Sequence, residues 1–266
     1  MVTATSTARS LLAIALLSCT IAASAAAQVK TRINPKDGAV MVYVPAGEFT
    51  MGDNDLNKSR RDCPAHKVYL DAYWIDKNLV TVAQYRKFCK ATGRNMADPP
   101  KWGWKDDHPI VNVTWHDATA YCDWAGTALP TEAQWEKAAR GTDGRKYPWG
   151  NQWDPGKLQC SKKGWGDAGS TAPVGSYPGG ASPYGALDMA GNVWEWCADW
   201  CGGEGYNESA PKVNPTGPRH GDFRVLRGGS WYIGNGVVFR CALRLHGRPV
   251  GRGDSIGFRC VVRAGG

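Results

Sequence analysis

Glycine, proline and tryptophan interrupt this chain so often that long regular elements have no room to form. There are 33 Gly, 16 Pro and 13 Trp among 266 residues, spread along the whole length. Each Gly or Pro favours a turn over the continuation of a helix or strand. Residues 148–234 are turns and aromatics, including Pro148-Trp149-Gly150-Asn151, Pro178-Gly179-Gly180 and Gly228-Gly229-Ser230-Trp231. Regularity is confined to short pieces. The strongest is Glu132–Arg140, where Thr131 and Gln134 have capping-box spacing and Gly141 supplies the stop. Two more helices are expected over 82–91, opened by Thr81, and over 116–124, closed by Gly126. Their core faces would be Tyr85, Phe88 and Cys89 in one, and Ala118, Tyr121 and Cys122 in the other. Apolar and polar residues alternate over 40–49 and 68–75, which predicts strands. No repeat or linker divides the chain, so one α+β domain is the simplest account.

The N-terminus has its own logic. Arg9, the apolar stretch 11–17 and the small residues Ala25-Ala26-Ala27 make a secretory signal. The apolar core is far short of the roughly 20 residues that span a bilayer. The plan is therefore a signal at 1–27, a linker at 28–36 and a domain at 37–266, in a protein that is periplasmic, on the cell surface or secreted. Leu16-Leu17-Ser18-Cys19 also reads as a lipoprotein signal; acylation of Cys19 would place the protein on a membrane, and both processing readings stay open. The other cysteines, Cys63, Cys89, Cys122, Cys160, Cys197, Cys201, Cys241 and Cys260, form an even set that in an exported chain points to disulfides rather than a thiolate metal site. The formal charge is +8, but the basic residues are interspersed with acids and form no tail. Nucleic acid is therefore not an expected partner, and an anionic ligand stays open.

Asp188-Met189-Ala190-Gly191-Asn192-Val193-Trp194-Glu195-Trp196 sets two carboxylates around a glycine. A tight loop of this kind could form an oxygen cage for Ca²⁺ from side chains and carbonyls. An Asp and a Glu around a turn are more often simply solvated, and the spacing alone does not decide. Cys197 and Cys201 could hold a metal, although disulfides with other partners or plain burial fit an exported chain better. His108, His116, His220 and His246 have no Ser or Cys nucleophile at an informative spacing, and no triad is assigned.

Taken together, several strings identify a resemblance: Pro45-Ala46-Gly47-Glu48-Phe49-Thr50-Met51-Gly52, Leu129-Pro130-Thr131-Glu132-Ala133-Gln134-Trp135-Glu136, Tyr147-Pro148-Trp149-Gly150-Asn151, the loop at 188–196, Arg227-Gly228-Gly229-Ser230-Trp231 and Ile256-Gly257-Phe258-Arg259-Cys260. In this order they resemble the formylglycine-generating enzyme family, also called sulfatase-modifying factors, over about residues 37–263. The resemblance implies an irregular C-type-lectin-like α+β fold with little regular secondary structure. It also implies structural calcium held by the Asp188 and Glu195 side chains and the Gly191 and Val193 carbonyls, a second calcium site near Gln159, Cys160, Asp167 and Ala168, and a disulfide between Cys122 and Cys260. The family's two reactive, copper-binding cysteines lie between the Gly-Gly-Ser motif and the later Arg-Cys. Here 231–240 contains no cysteine, and Gly, Val and Ile cannot replace thiolates around Cu(I). No copper and no catalytic residue are therefore expected. The partner position for Cys241 holds Ala139, which leaves Cys241 free, paired elsewhere, or a small buried apolar residue.

Residues 232–255 show neither helical nor strand periodicity and read as exposed loops between two family-like anchors. The arrangement resembles variable proteins of diversity-generating retroelements, in which adenines of asparagine codons are rewritten. That chemistry cannot produce Lys, Glu, Gln, Met or Trp, and none of the five occurs in this stretch. The expected ligand-facing positions are Tyr232, Ile233, Gly234, Val237, Leu243, Leu245, His246, Gly247, Arg248, Val250, Gly251, Gly253, Asp254 and Ser255. The expected function is non-catalytic binding of an unidentified protein or surface ligand; the alternative is a fixed-function enzyme of the same fold.

Overall fold

The computed structural model describes Met1 and residues 29–54, 64–162, 164, 169–202 and 212–265. The signal segment, Cys19, Cys63, Asp167 and Ala168 lie outside the described residues. Among the described residues there are three α-helices: α1 (Val82–Thr92), α2 (Trp115–Ala125) and α3 (Glu132–Arg140). All three start the same way. Thr81, Thr114 and Thr131 each accept a backbone N–H three residues on, while Gln84, Asp117 and Gln134 reach back to complete the capping box. Gly93 and Gly126 close α1 and α2 in the left-handed conformation, at φ 71° and 70°.

Ten short strands among the described residues make three sheets: β1 (Thr31–Ile33), β2 (Val40–Val44), β3 (Gly47–Met51), β4 (His66–Leu70), β5 (Tyr73–Asp76), β6 (Trp194–Trp200), β7 (Arg224–Arg227), β8 (Arg244–Gly247), β9 (Ile256–Gly257) and β10 (Val261–Arg263). The first sheet has the order β1-β2-β5-β10, β3 pairs with β4 in the second, and the third sheet runs β8-β7-β6-β9, with β6 and β9 parallel. The strands expected over 40–49 and 68–75 are therefore each two strands. Pro45-Ala46 and Asp71-Ala72 break them, and the halves separate, β2 joining β5 and β3 joining β4. Residues 232–255 also hold more structure than expected, with a 3₁₀ turn at Gly236–Phe239 and strand β8.

Aromatic side chains fill the interior. Trp135, Trp196, Tyr73, Tyr121, Phe49, Phe88, Phe239 and Phe258 are all fully buried. An ion-pair network joins α3 to the third sheet. Arg227 of β7, 1% exposed, lies against two carboxylates one helical turn apart on α3, with Nε 3.0 Å from Glu132 and Nη2 donating to Glu136. Arg140 pairs with Glu136 at 2.8 Å and Arg244 with Glu132 at 2.6 Å. A buried carboxylate is tolerated only when a charge and hydrogen bonds compensate it, so this network fixes how α3 sits beneath the Gly-Gly-Ser-Trp turn.

Candidate functional site

The loop at 248–255 is bound to the scaffold through its main chain. Trp115 N–H, at the start of α2, donates to Pro249 O at 3.0 Å, and Asn112 N–H donates to Gly253 O at 2.9 Å. The indole Nε1 of Trp231 reaches Asp254 O at 3.0 Å, and Trp194 N–H of β6 reaches Ser255 O at 2.8 Å. Within the loop, Gly251 N–H bonds Arg248 O at 2.8 Å. Just before it, β8 is an edge strand held by backbone pairing with β7, which sets Leu245 across from Leu226 and His246 across from Val225. Carbonyl acceptors are common to every residue type, so this anchoring places no demand on the side chains.

The expected ligand-facing residues divide into four groups. Val237, Leu245 and Val250 are 38%, 40% and 68% exposed, and His246 and Arg248 are also exposed. Tyr232, Gly251, Gly253, Asp254 and Ser255 are half-buried along the same rim. Ile233 and Leu243, in contrast, are buried core residues at 1% and 4% exposure and face no ligand. Gly234 and Gly247 have no room for a side chain. A Cβ on Gly234 would sit 2.8 Å from the Gly164 backbone, and one on Gly247 would sit 2.8 Å from the buried ring of Trp196.

Residues outside the expected set complete the face. The Phe223 ring meets the His246 ring edge-on with centroids 4.8 Å apart, and the Arg248 guanidinium lies 5.8 Å from the Phe223 ring. Beside them the Arg224 guanidinium is clamped between Trp115 at 3.8 Å and Trp200 at 3.4 Å. His220, Asp222, Phe223 and His246 line a cleft of about 280 Å³. Phe223 precedes the strand leading into Arg227-Gly228-Gly229-Ser230-Trp231, but only the β7–β8 register brings it to His246.

Burial works against ionisation of five of the described thiols. Burial pushes Cys89, Cys160, Cys197 and Cys260 above the usual thiol range and Cys241 up to about 12. Thiolate character is what nucleophilic or Cu(I) chemistry requires. Cys122 and Cys260 are buried with sulfurs 3.5 Å apart, longer than a disulfide bond but close enough that oxidation would need little movement.

The Asp188 loop is shaped by left-handed backbone at Asp188 (φ 55°), Gly191 (φ 79°) and Asn192 (φ 63°). Gly191 is obligatory, because a Cβ there would lie 2.4 Å from Gln159 O. Gln159 itself donates to Ser170 O and accepts from the Tyr177 hydroxyl. Asp188 is buried and accepts from Gly175 N–H at 2.7 Å. Glu195, fully buried, is gripped by Arg259 through Nε at 2.6 Å and Nη2 at 3.0 Å. Arg259 spends its remaining donors on the carbonyls of Asp76, Lys77 and Leu187. Burial raises both carboxyls above their usual range, and Arg259 opposes the shift at each. Of these two buried carboxyls, Arg259 hydrogen-bonds Glu195 alone and acts on Asp188 only through its charge. No cluster of three or more His, Cys, Asp or Glu side chains among the described residues could hold a metal, so carbonyls such as those of Gly191 and Val193 would have to complete the shell, as Ca²⁺ permits.

Residues 26–264 match the model of the sulfatase-modifying factor enzyme 1-like domain. The formylglycine-generating enzyme of Streptomyces coelicolor is 36% identical across 90% of this chain and 94% of its own, and that of Bos taurus is 32% identical across 86% and 76%. Among solved structures, PvdO from Pseudomonas aeruginosa superimposes with a TM-score of 0.76 at 28% identity, over 88% of this chain and 98% of its own. Treponema denticola variable protein 1 does so with a TM-score of 0.70 at 26% identity and the same coverage. The low content of helix, the three small sheets, the glycine-shaped loops and these matches lead to one assignment: the chain belongs to the sulfatase-modifying factor family and has its C-type-lectin-like fold.

Proposed function

We propose that this protein is an exported, non-catalytic binding protein that presents the exposed side chains of 232–255, a segment diversified by a retroelement, to a protein or other surface ligand. The observation that carries the reading is the main-chain anchoring of the 248–255 loop: its carbonyls are fixed by Trp115, Asn112, Trp194 and Trp231, while Leu245, His246, Arg248 and Val250 project outward. A scaffold of this kind keeps its shape whatever residues it displays. The similarity to Treponema denticola variable protein 1 supports the same reading. Calcium, held by Asp188, Glu195, Gly191 and Val193, would be structural, and the reading requires no copper.

Replacing Leu245, His246, Arg248 and Val250 together by serine is expected to change unfolding free energy by less than about 2 kcal/mol, because exposed substitutions rarely cost more than about 0.5 kcal/mol each. A loss above 3 kcal/mol in urea denaturation would make the loop part of the fold and end the proposal. Sequencing the flanking DNA tests the diversification, through the presence or absence of a reverse transcriptase and an adenine-rich near-copy of the segment. A second reading, an oxidase of this fold, is favoured by the 36% identity to a formylglycine-generating enzyme. Copper-dependent oxygen uptake with a cysteine-containing peptide would support it against the first.

The proposed calcium has its own test. Calcium is expected to raise the melting temperature of chelator-treated protein, following the mass-action stabilisation of a native-state ligand, and the rise should be lost in Asp188→Ala. Equal melting of the wild type with calcium and with chelator would remove calcium from the account.

A further inference from the structure

A cavity of about 160 Å³ lies between β2, the end of β5 and the start of α1, lined by Gly38, Val40, Asp76, Asn78, Thr81 and Gln84 among others. Two side-chain oxygens in its lining residues have no hydrogen-bond partner although both are buried: Asp76 Oδ1 and Asn78 Oδ1. Asp76 as a whole is only 2% exposed. Its other oxygen, Oδ2, accepts from Cys260 N–H at 2.9 Å, which fixes the carboxylate. Asn78 Oδ1 lies close to Gly175, whose N–H is already given to Asp188. The polar groups of Thr81 and Gln84 are engaged with each other in the α1 capping box.

The local charge is unbalanced. Asp37 faces Asp76 from the loop before β2, with its own oxygens taken by Tyr121 Oη and Ala39 N–H. Arg259 is the opposing cation, but its side-chain donors go to Glu195 and to main-chain carbonyls. Burial pushes the Asp76 carboxyl up to about 7, Asp37 adds to the rise and Arg259 opposes it. A buried carboxylate with an orphan oxygen is costly unless something supplies the missing partner.

We propose that this cavity is a divalent-cation site, separate from the Asp188 loop, with Asp76 Oδ1 and Asn78 Oδ1 as its side-chain donors. Hard cations such as Ca²⁺ prefer carboxylate and amide oxygens and complete their shells with carbonyls and water. The competing occupant is a water molecule, which could donate one proton to each oxygen. Charge separates the two cases: a cation responds to the number of carboxylates, and a water does not.

The test is calorimetric titration of chelator-treated protein with CaCl₂, in the wild type and in Asp188→Ala. One calcium per chain is expected to remain in Asp188→Ala. In either background, Asn78→Asp should tighten binding at this site about tenfold, and Asn78→Ala and Asp76→Asn should weaken it about tenfold or more, because ligand charge sets affinity in oxygen sites. Asn78 is half-exposed, so its two variants keep the test open should Asp188→Ala or Asp76→Asn fail to fold. A folded Asp188→Ala without calcium binding at millimolar concentration would overturn the proposal and leave water as the occupant. So would affinities unchanged within twofold in both Asn78 variants.

Discussion

Arg259→Leu is expected to lower the unfolding free energy by about 3–5 kcal/mol, the usual cost of stripping one partner from a buried ion pair. Glu195 would lose both of its guanidinium hydrogen bonds, and the carbonyls of Asp76, Lys77 and Leu187 would lose donors in the same step. Both side chains are fully buried, so water cannot take over. Arg259→Lys should recover little, because an ammonium with three donors cannot match a planar guanidinium that serves three chain segments. Urea denaturation reads the effect as a lower midpoint with unchanged slope. A loss below about 1 kcal/mol would mean that this residue is not what ties the Asp188 loop to the first sheet.

Arg227→Met is expected to cost about 3 kcal/mol or more, since Glu132 and Glu136, one turn apart on α3, would lose the guanidinium that lies against both and keep Arg244 and Arg140 at their flanks. The double variant Arg227→Met with Glu136→Leu should recover part of that loss. It removes two desolvated charges together, whereas either single change strands one. A double-mutant cycle in denaturant gives the coupling directly, and strictly additive costs would show that the pair contributes nothing beyond its separate packing.

The helices were legible in the sequence because their signals are local. Each capping box is a Thr followed three residues later by Gln or Asp, and each stop is a glycine, so 81–93, 114–126 and 131–141 can be read in isolation. The strands were legible only as extended stretches. Pro45 marks a break within 40–49, but nothing there says that the two halves join different sheets, because partner choice depends on residues far along the chain.

The site followed the same division. The motif order and the glycine-shaped loop at 188–196 are properties of the sequence, and they determined the family and the fold. Which side chains of 232–255 reach solvent was decided by tertiary structure. Ile233 and Leu243 look no different from Leu245 in a list of residues, yet packing buries the first two and the β7–β8 edge exposes the third. The carbonyl anchors of the 248–255 loop leave no mark in the sequence, since every residue carries the same acceptor. Arg259 shows the limit most clearly: its motif marked it as a scaffold residue, but its partners lie 64 to 183 positions away. Only the folded chain brings a guanidinium, a carboxylate and three carbonyls to one buried point.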